Sequence, residues 1–370
     1  MKILLMGFTK IKYMPYMNFY LENIDTTSND VHLLYWNRDL KQEDTSFLTG
    51  VTLHEFLCKQ EDDVAKTSKI GSFIKFRKYA KKVLKKQRFD FVIVLHSLPG
   101  VLICDTLCRK YKNKYILDYR DSTYEGVGLF KRVIGDLVRG SSATFVSSDA
   151  FRRFLPMKCE NKIFASHNLL LDSLAHRHEK AEHGTKSDRI RVAFWGFIRH
   201  EEINRELIKK FSADQRFELH YYGREQQVAL NLKRYAREID AENVFFHGEY
   251  KPQDRYEFVR HTDIIHNIYK DANMMLAMGN KYYDAAIFYI PIASMRGSFM
   301  AGSAEKAGIG FGVDPYDDDF CDRLYKAYHQ LDRNTFAEKC DKELERVIEE
   351  YRFGAAKIKK LTGAKGKRNK

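Results

Sequence analysis

Short apolar runs recur along the first half of this chain and are separated by stretches with helical spacing. The runs occupy residues 3–6, 31–36, 91–95, 115–118, 143–147 and 162–165, and the helical stretches occupy 16–23, 72–87, 100–111, 129–139 and 149–155. Runs that do not alternate between apolar and polar residues are typical of parallel strands buried on both faces. The pattern therefore predicts a doubly wound α/β domain, in which helices cover both faces of a parallel sheet.

The same pattern restarts in the second half. Apolar runs at 191–195, 217–222, 244–247, 264–268, 290–294 and 310–313 alternate with helical stretches at 202–211, 225–239, 252–259, 281–289, 299–307 and 319–329. Between the halves, 172–188 is polar, mixed in charge and aperiodic, which indicates an interdomain linker. We therefore predict Rossmann-like domains at 1–171 and 189–333, followed at 334–370 by a helix and a basic tail.

Composition limits the partners. The chain has 370 residues and a net charge of +13, which favours an anionic partner such as a nucleotide, a membrane surface or a nucleic acid. The six cysteines form no CxxC pair and no zinc spacing, which is typical of a reduced, cytoplasmic protein. The first apolar run is too short for a signal peptide, and no run reaches the ~18 apolar residues of a transmembrane helix. Any membrane contact is expected at the surface.

Residues 73–88 form the most basic segment. Its apolar positions 73, 76, 80, 83 and 84 follow helical spacing, and basic side chains fill most of the others. Such a helix can lie on an anionic bilayer, where each basic residue contributes about 1 kcal/mol, or it can be a packed helix with a solvated lysine face. Both interpretations stay open. No aromatic platform or recognition-helix motif accompanies the charges, so nucleic acid is not expected as a partner.

The segment Asn280-Lys281-Tyr282-Tyr283-Asp284 begins a predicted helix that leads to Pro291. Lys281 and Asp284 are three residues apart and are expected on one face of its first turns. A helix N-terminus with a cation and a carboxylate can bind a nucleoside diphosphate, the cation holding phosphate and the acid holding ribose hydroxyls. The alternative is an ion pair on a solvated helix face.

Four segments together resemble the donor-binding domain of GT-B glycosyltransferases, most closely the retaining family 4. They are Phe-Trp-Gly-Phe-Ile-Arg at 194–199, Tyr-Tyr-Gly at 221–223, Val-Phe-Phe-His-Gly at 244–248, and Asn280 to Asp284 with Pro291. The resemblance implies two domains facing across a cleft and a metal-independent, retaining hexosyltransferase without a cofactor. Its nucleotide-sugar donor would supply a growing, lipid-linked surface polysaccharide or other glycan. Leu276 occupies the position of the family's first acid, so the donor sugar and the stereochemical outcome stay open.

Further candidate donor-binding residues lie at or after the predicted carboxyl ends of strands. Gly196 ends the first strand of the second domain, where backbone amides and a helix start can receive a phosphate. Arg199 would form a fork with diphosphate oxygens, unless it is a surface arginine. Gly223 closes a strand at the same edge, where it could also serve only as a tight turn. Tyr269 precedes the helix, where the base or the donor sugar would lie.

On the acceptor side, Asp121 and His96 are the predicted catalytic residues. Gly7 follows the first strand, Arg120 would bind an acceptor phosphate, and His167 ends the last strand of the first domain. The alternatives are an ordinary ion pair at a strand end and histidines that serve only as hydrogen-bonding groups.

Two other functions stay open. One is a nucleotide-sugar epimerase with the same fold, and the other is a non-catalytic protein that binds nucleotide sugars or polyanions. The nucleotide base, the acceptor, the linkage and the oligomeric state are not determined by these residues.

Overall fold

The computed structural model describes residues 1–61, 69–177 and 189–363. The chain divides into two compact units, Met1–His167 with the chain from Glu349 onward, and Asn168–Ile348. The predicted linker ends outside the described residues, although Asp172–Ala175 within it forms a short helix. The predicted domain boundaries stay predictions, and the basic tail at 365–370 lies outside the described part of the chain.

The first unit contains a parallel sheet with strand order β3-β2-β1-β4-β5-β6-β7 among the described residues. Its strands are β1 (Lys2–Met6), β2 (Asp30–Asn37), β3 (Val51–Leu57), β4 (Phe91–Leu95), β5 (Tyr115–Tyr119), β6 (Ala143–Val146) and β7 (Ile163–Ala165). Its helices are α1 (Asn18–Leu21), α2 (Ile70–Gln87), α3 (Ser97–Leu102), α4 (Cys104–Lys110) and α5 (Gly128–Gly140). The central strands are buried on both faces, as their uninterrupted apolar runs predict.

The second unit contains a parallel sheet in the order β10-β9-β8-β11-β12-β13 among the described residues. Its strands are β8 (Ile190–Trp195), β9 (Phe217–Tyr222), β10 (Val244–Gly248), β11 (Ile264–Asn267), β12 (Ile292–Met295) and β13 (Gly310–Val313). Its helices are α6 (Asp172–Ala175), α7 (Glu201–Ser212), α8 (Gln227–Glu238), α9 (Arg255–Val259), α10 (Asn280–Phe288), α11 (Phe299–Ala307) and α12 (Phe320–His329), and α13 (Arg333–Thr362) continues into the first unit.

Both sheets are doubly wound, which confirms the predicted fold class of two parallel-sheet α/β domains followed by a helix. In each sheet the strand order reverses direction beside the first strand, between β1 and β4 and between β8 and β11. Ligands of open α/β sheets bind at such switch points, at the carboxyl ends of the strands. By this rule, ligands are expected at the loops after β8 and β11 in the second sheet and after β1 and β4 in the first.

Several elements differ from the prediction, among them a strand and two predicted helices of the first unit. Strand β3 was not predicted, because it lies at the sheet edge and mixes polar with apolar residues. The stretch 16–23 contains a 3-10 turn and the four-residue α1 instead of one helix. The stretch predicted as one helix at 100–111 starts earlier and is broken at Ile103, whose φ of −119° and ψ of 22° interrupt the helical geometry.

Among the described helices, none combines the length and the apolar character needed to cross a membrane.

Candidate functional site

Lys281 is the second residue of α10, and its side chain extends over the carboxyl end of β8. Its Nζ lies 4.2 Å from the centre of the Phe194 ring. A Cβ atom built on Gly196 would lie 3.6 Å from the same nitrogen, so the Gly196 backbone is its close neighbour. Among the described residues, Lys281 Nζ has no hydrogen-bond acceptor and no carboxylate within ion-pair distance. It is a largely buried cation without a carboxylate partner among the described residues.

The pKa of Lys281 is lowered from 10.5 to about 8. Burial is the main cause, because the surrounding protein solvates the ammonium group poorly. Asp284 opposes this shift, and Arg199 adds to it through like-charge repulsion. An anion placed beside Nζ would offset both the poor solvation of the ammonium group and its repulsion by Arg199.

Asp284 points into the core. Asp284 is only 2% exposed, so the alternative of a solvated helix-face pair is wrong. The indole Nε1 of Trp195 donates a hydrogen bond to Asp284 Oδ2 over 3.0 Å, and Arg255 Nη1 lies 3.8 Å from Oδ1. Burial raises the pKa of Asp284, while Arg255 and the Trp195 hydrogen bond oppose this rise. A ribose contact through this carboxylate stays a prediction.

Two glycines bring the loops after β8 and β9 into direct backbone contact. Gly196 has a φ of +128°, a backbone conformation that residues with a Cβ atom rarely adopt. Its amide donates to the Tyr222 carbonyl oxygen over 2.9 Å. A Cβ on Gly223 would overlap the Gly196 carbonyl oxygen, so Gly223 is needed for this close approach. Gly223 thereby supports the loop that faces Lys281.

The remaining predicted donor-side residues lie around this loop. Arg199 is exposed, with its guanidinium 5.5 Å from the Phe197 ring, and Asn280 is exposed at the first position of α10. Tyr269 is buried, with its ring 6.2 Å from Phe194. Burial raises the pKa of Tyr269 and lowers that of Lys281, and the positive charge of Arg199 lowers both pKa values, so these three side chains share one region.

Two neighbouring histidines were missed by the sequence analysis. His266 on β11 is 1% exposed, its ring lies 5.2 Å from Phe194, and neither ring nitrogen has a hydrogen-bond partner among the described residues. Burial and the Lys281 charge lower its pKa to about 3, so it is neutral. His200 directly precedes α7 and has a φ of +62°, and its Nε2 lies 3.4 Å from Asp271 Oδ2. In the sequence, His266 could have been found only as a histidine that interrupts the apolar run 264–268.

In the first unit, the structure brings the predicted catalytic pair together. His96 Nε2 lies 3.6 Å from Asp121 Oδ2. The Leu98 amide donates to His96 Nδ1 over 3.2 Å, so in the neutral ring the proton sits on Nε2 and faces Asp121. With Nδ1 occupied and Nε2 protonated, His96 has no free lone pair, whereas Asp121 is about half exposed. Asp121 is therefore the better placed proton acceptor of the two.

The backbone at His96 is strained. Its φ of 96° and ψ of 151° lie in a region that is populated almost only by glycine. The His96 amide donates to the Asp118 carbonyl oxygen over 3.0 Å, which connects the ends of β4 and β5. Such strain is concentrated at functional sites in proteins and costs on the order of 1–3 kcal/mol.

Arg120 is an internal residue. It is 5% exposed, its Nε donates to Asp118 Oδ2 over 2.8 Å, and its Nη2 donates to Ser166 Oγ over 2.6 Å. The ring of Tyr16 lies 4.3 Å from the guanidinium. The predicted contact with an acceptor phosphate would require this buried pair to open.

The other two acceptor-side residues have packing partners within the first unit. A Cβ on Gly7 would overlap the Met14 side chain, so this position is restricted to glycine by close packing. His167 Nε2 lies 2.8 Å from Glu350 Oε2, which attaches the end of α13 to the chain after β7. Roles of Gly7 and His167 toward an acceptor stay predictions.

The sequence matches no family model and no curated protein. Solved structures do match. A glycosyltransferase from Rickettsia africae ESF-5 is 12% identical, with 98% of this chain aligned to 99% of that chain at a TM-score of 0.68. Anabaena Alr3699/HepE in complex with UDP-glucose is 13% identical, with 98% of each chain aligned at a TM-score of 0.60.

The chain has the GT-B fold. A UDP-GlcNAc 2-epimerase from Neisseria meningitidis, bound to UDP-GlcNAc, also shares it, with 11% identity, 96% of this chain aligned to 100% of that chain and a TM-score of 0.58. At these identities the similarity establishes the fold, and it does not by itself distinguish transfer from epimerisation.

Proposed function

We propose that this protein is a glycosyltransferase that moves a sugar from a nucleotide-sugar donor to a growing, lipid-linked surface glycan. The observation that carries the proposal is the unpaired Lys281 ammonium group, held beside Gly196 at the start of α10. Burial of an unpaired charge is costly, and an incoming anion offsets that cost. The UDP-sugars bound to two of the similar structures are ligands with an anion of this kind.

The chemistry fits the departure of a nucleoside diphosphate. Glycosyl transfer passes through an oxocarbenium-like centre while negative charge grows on the leaving diphosphate. Lys281 and the N-terminus of α10 would stabilise that charge, and the exposed Arg199 would add a fork of donors. In this proposal no cofactor or metal takes part.

The first unit would supply the acceptor side. The Asp121 carboxylate would orient or deprotonate the attacking hydroxyl, and His96, whose Nε2 lies 3.6 Å from Asp121 Oδ2, would orient that carboxylate. This assignment gives the two predicted catalytic residues different roles. His96 is then a positioning residue and Asp121 the catalytic one.

We also propose that the protein works at the cytoplasmic surface of a membrane through residues 73–88. Helix α2 contains no acidic residue. Its Arg77 and Lys81 pair with Asp105 of α4, whereas Lys75, Lys78, Lys82, Lys85 and Lys86 make no ion pair with any described carboxylate. These outer lysines would face anionic headgroups, each contributing about 1 kcal/mol.

A panel of nucleoside diphosphates and nucleotide sugars tests the donor. One of them at 100 times its dissociation constant should stabilise the protein by about 2.7 kcal/mol. Turnover should release the diphosphate and transfer the sugar, and the anomeric configuration of the product tests the expectation of retention. An epimerised nucleotide sugar would instead indicate an epimerase, and binding without turnover a non-catalytic protein. The absence of any response would refute the proposal.

A further inference from the structure

Two helices of the first unit begin with exposed aliphatic side chains. Ile70 and Ile74 of α2 are 55% and 48% exposed, and Val127 and Leu129 at the start of α5 are 56% and 73% exposed. We call these four residues the apolar tip. Isolated exposed aliphatic residues are common on soluble proteins, but a group of them indicates a binding surface.

The four residues lie at one edge of the first sheet. Helix α2 follows β3 and α5 follows β5, and all strands of this sheet are parallel. Both helices therefore start at the carboxyl edge. Helix α3, which also starts there, packs against α2 and against α5. The two parts of the apolar tip thus flank the start of α3.

Basic residues border the apolar tip on both helices. Lys75 and Lys78 of α2 and Lys131 and Arg132 of α5 are exposed, and none of them pairs with a carboxylate of the described residues. Aliphatic side chains beside unpaired cations are typical of a surface that enters the headgroup region of an anionic bilayer. Nucleic acid would use the cations but would leave the aliphatic side chains without a favourable contact.

We propose that the apolar tip inserts into anionic lipid headgroups, with Lys75, Lys78, Lys131 and Arg132 bound to the lipid phosphates. The proposal rests on the membrane contact proposed for residues 73–88 and extends it to α5. It does not depend on the donor site. The electrostatic part should weaken with salt, whereas the buried aliphatic part should persist.

Tryptophan fluorescence reports insertion directly, because both natural tryptophans, Trp36 and Trp195, are buried. The variant Leu129→Trp should show a blue shift of its emission when the full-length protein is mixed with vesicles containing anionic phospholipid. Leu230→Trp is the matched control, because Leu230 is an exposed leucine of α8 in the second unit. An unshifted Leu129→Trp spectrum on vesicle-bound protein would overturn the insertion.

Cosedimentation with the same vesicles gives the second measurement. Val127→Ser with Leu129→Ser should weaken binding about tenfold per side chain at high salt, while Leu230→Ser leaves it unchanged. Lys75→Glu with Lys78→Glu should weaken low-salt binding at least fivefold per residue, and Lys342→Glu, an exposed lysine elsewhere, should have little effect. Unchanged high-salt binding in the serine variant, or tighter binding to RNA than to vesicles, would contradict the proposal. UDP binding is measured separately, so failure here does not bear on the donor site.

Discussion

The indole of Trp195 donates a hydrogen bond to the Asp284 carboxylate over 3.0 Å, with both side chains almost completely buried. Trp195 ends β8 and directly precedes Gly196, while Asp284 lies one turn beyond Lys281 on α10. This hydrogen bond therefore attaches the helix that positions the free cation to the loop that faces it.

Replacing Trp195 with phenylalanine should destabilise the second unit. The variant removes a hydrogen bond to a buried carboxylate, for which we expect a loss of about 1.5–3 kcal/mol in the free energy of unfolding. Trp36→Phe is the control, because that buried indole donates to the neutral Cys58 carbonyl oxygen and should cost about 0.5–1.5 kcal/mol for its hydrogen bond. Urea unfolding measures both. An equal loss in the two variants would argue against a charged Asp284.

The close contact between Gly223 and Gly196 predicts that alanine destabilises the protein at position 223. At Gly302, which has no close neighbours, alanine should instead stabilise it. Gly223→Ala should destabilise the protein by about 1–3 kcal/mol and weaken nucleotide binding, because the new methyl group pushes the Gly196 carbonyl away. Gly302→Ala, in the open face of α11, should stabilise the protein by roughly 0.5–1 kcal/mol and leave binding unchanged. Thermal unfolding and UDP titration measure the pair, and normal UDP binding by Gly223→Ala would contradict the placement of the site.

Nucleotide affinity should fall as the pH rises through about 8. The pKa of Lys281 is lowered to about 8 in the free protein, and a bound diphosphate would raise it again. The complex then holds more protons than the free protein above pH 8, so the affinity is complete below this value and decreases by up to about tenfold per pH unit above it. Calorimetry in two buffers at about pH 8.5 should show proton uptake. Lys281→Met should lack both effects, and an affinity that stays constant up to about pH 9.5 would rule out this role.

The free energy of the backbone strain at His96 can be measured by comparing two variants. His96→Gly and His96→Ala both remove the hydrogen bond to the Leu98 amide, but only glycine accepts a φ of 96° without strain. The glycine variant should therefore be more stable than the alanine variant by about 1–3 kcal/mol in urea unfolding. A glycine variant that is less stable than the alanine variant, by the roughly 0.5–1 kcal/mol that glycine costs elsewhere, would mean that this conformation carries no strain.

Both sheets were predictable from the sequence because their central strands are buried on both faces and appear as uninterrupted apolar runs. Strand β3 was missed for the opposite reason, since an edge strand with His54 and Glu55 lacks such a run. The pairing of Asp284 with Trp195 was not predictable either. Helical spacing places Lys281 and Asp284 on neighbouring parts of α10, but only the three-dimensional packing shows that one faces the open sheet edge and the other the core.

The central claim is that Lys281 binds the diphosphate of a nucleotide sugar. A UDP titration of Lys281→Met tests this claim most directly. We expect the variant to lose at least tenfold in UDP affinity, while its unliganded form melts at a higher temperature because a buried unpaired cation is gone. Lys342→Met, at an exposed lysine of α13, should change neither property. If Lys281→Met binds UDP as tightly as the unmodified protein, the proposed donor site is wrong.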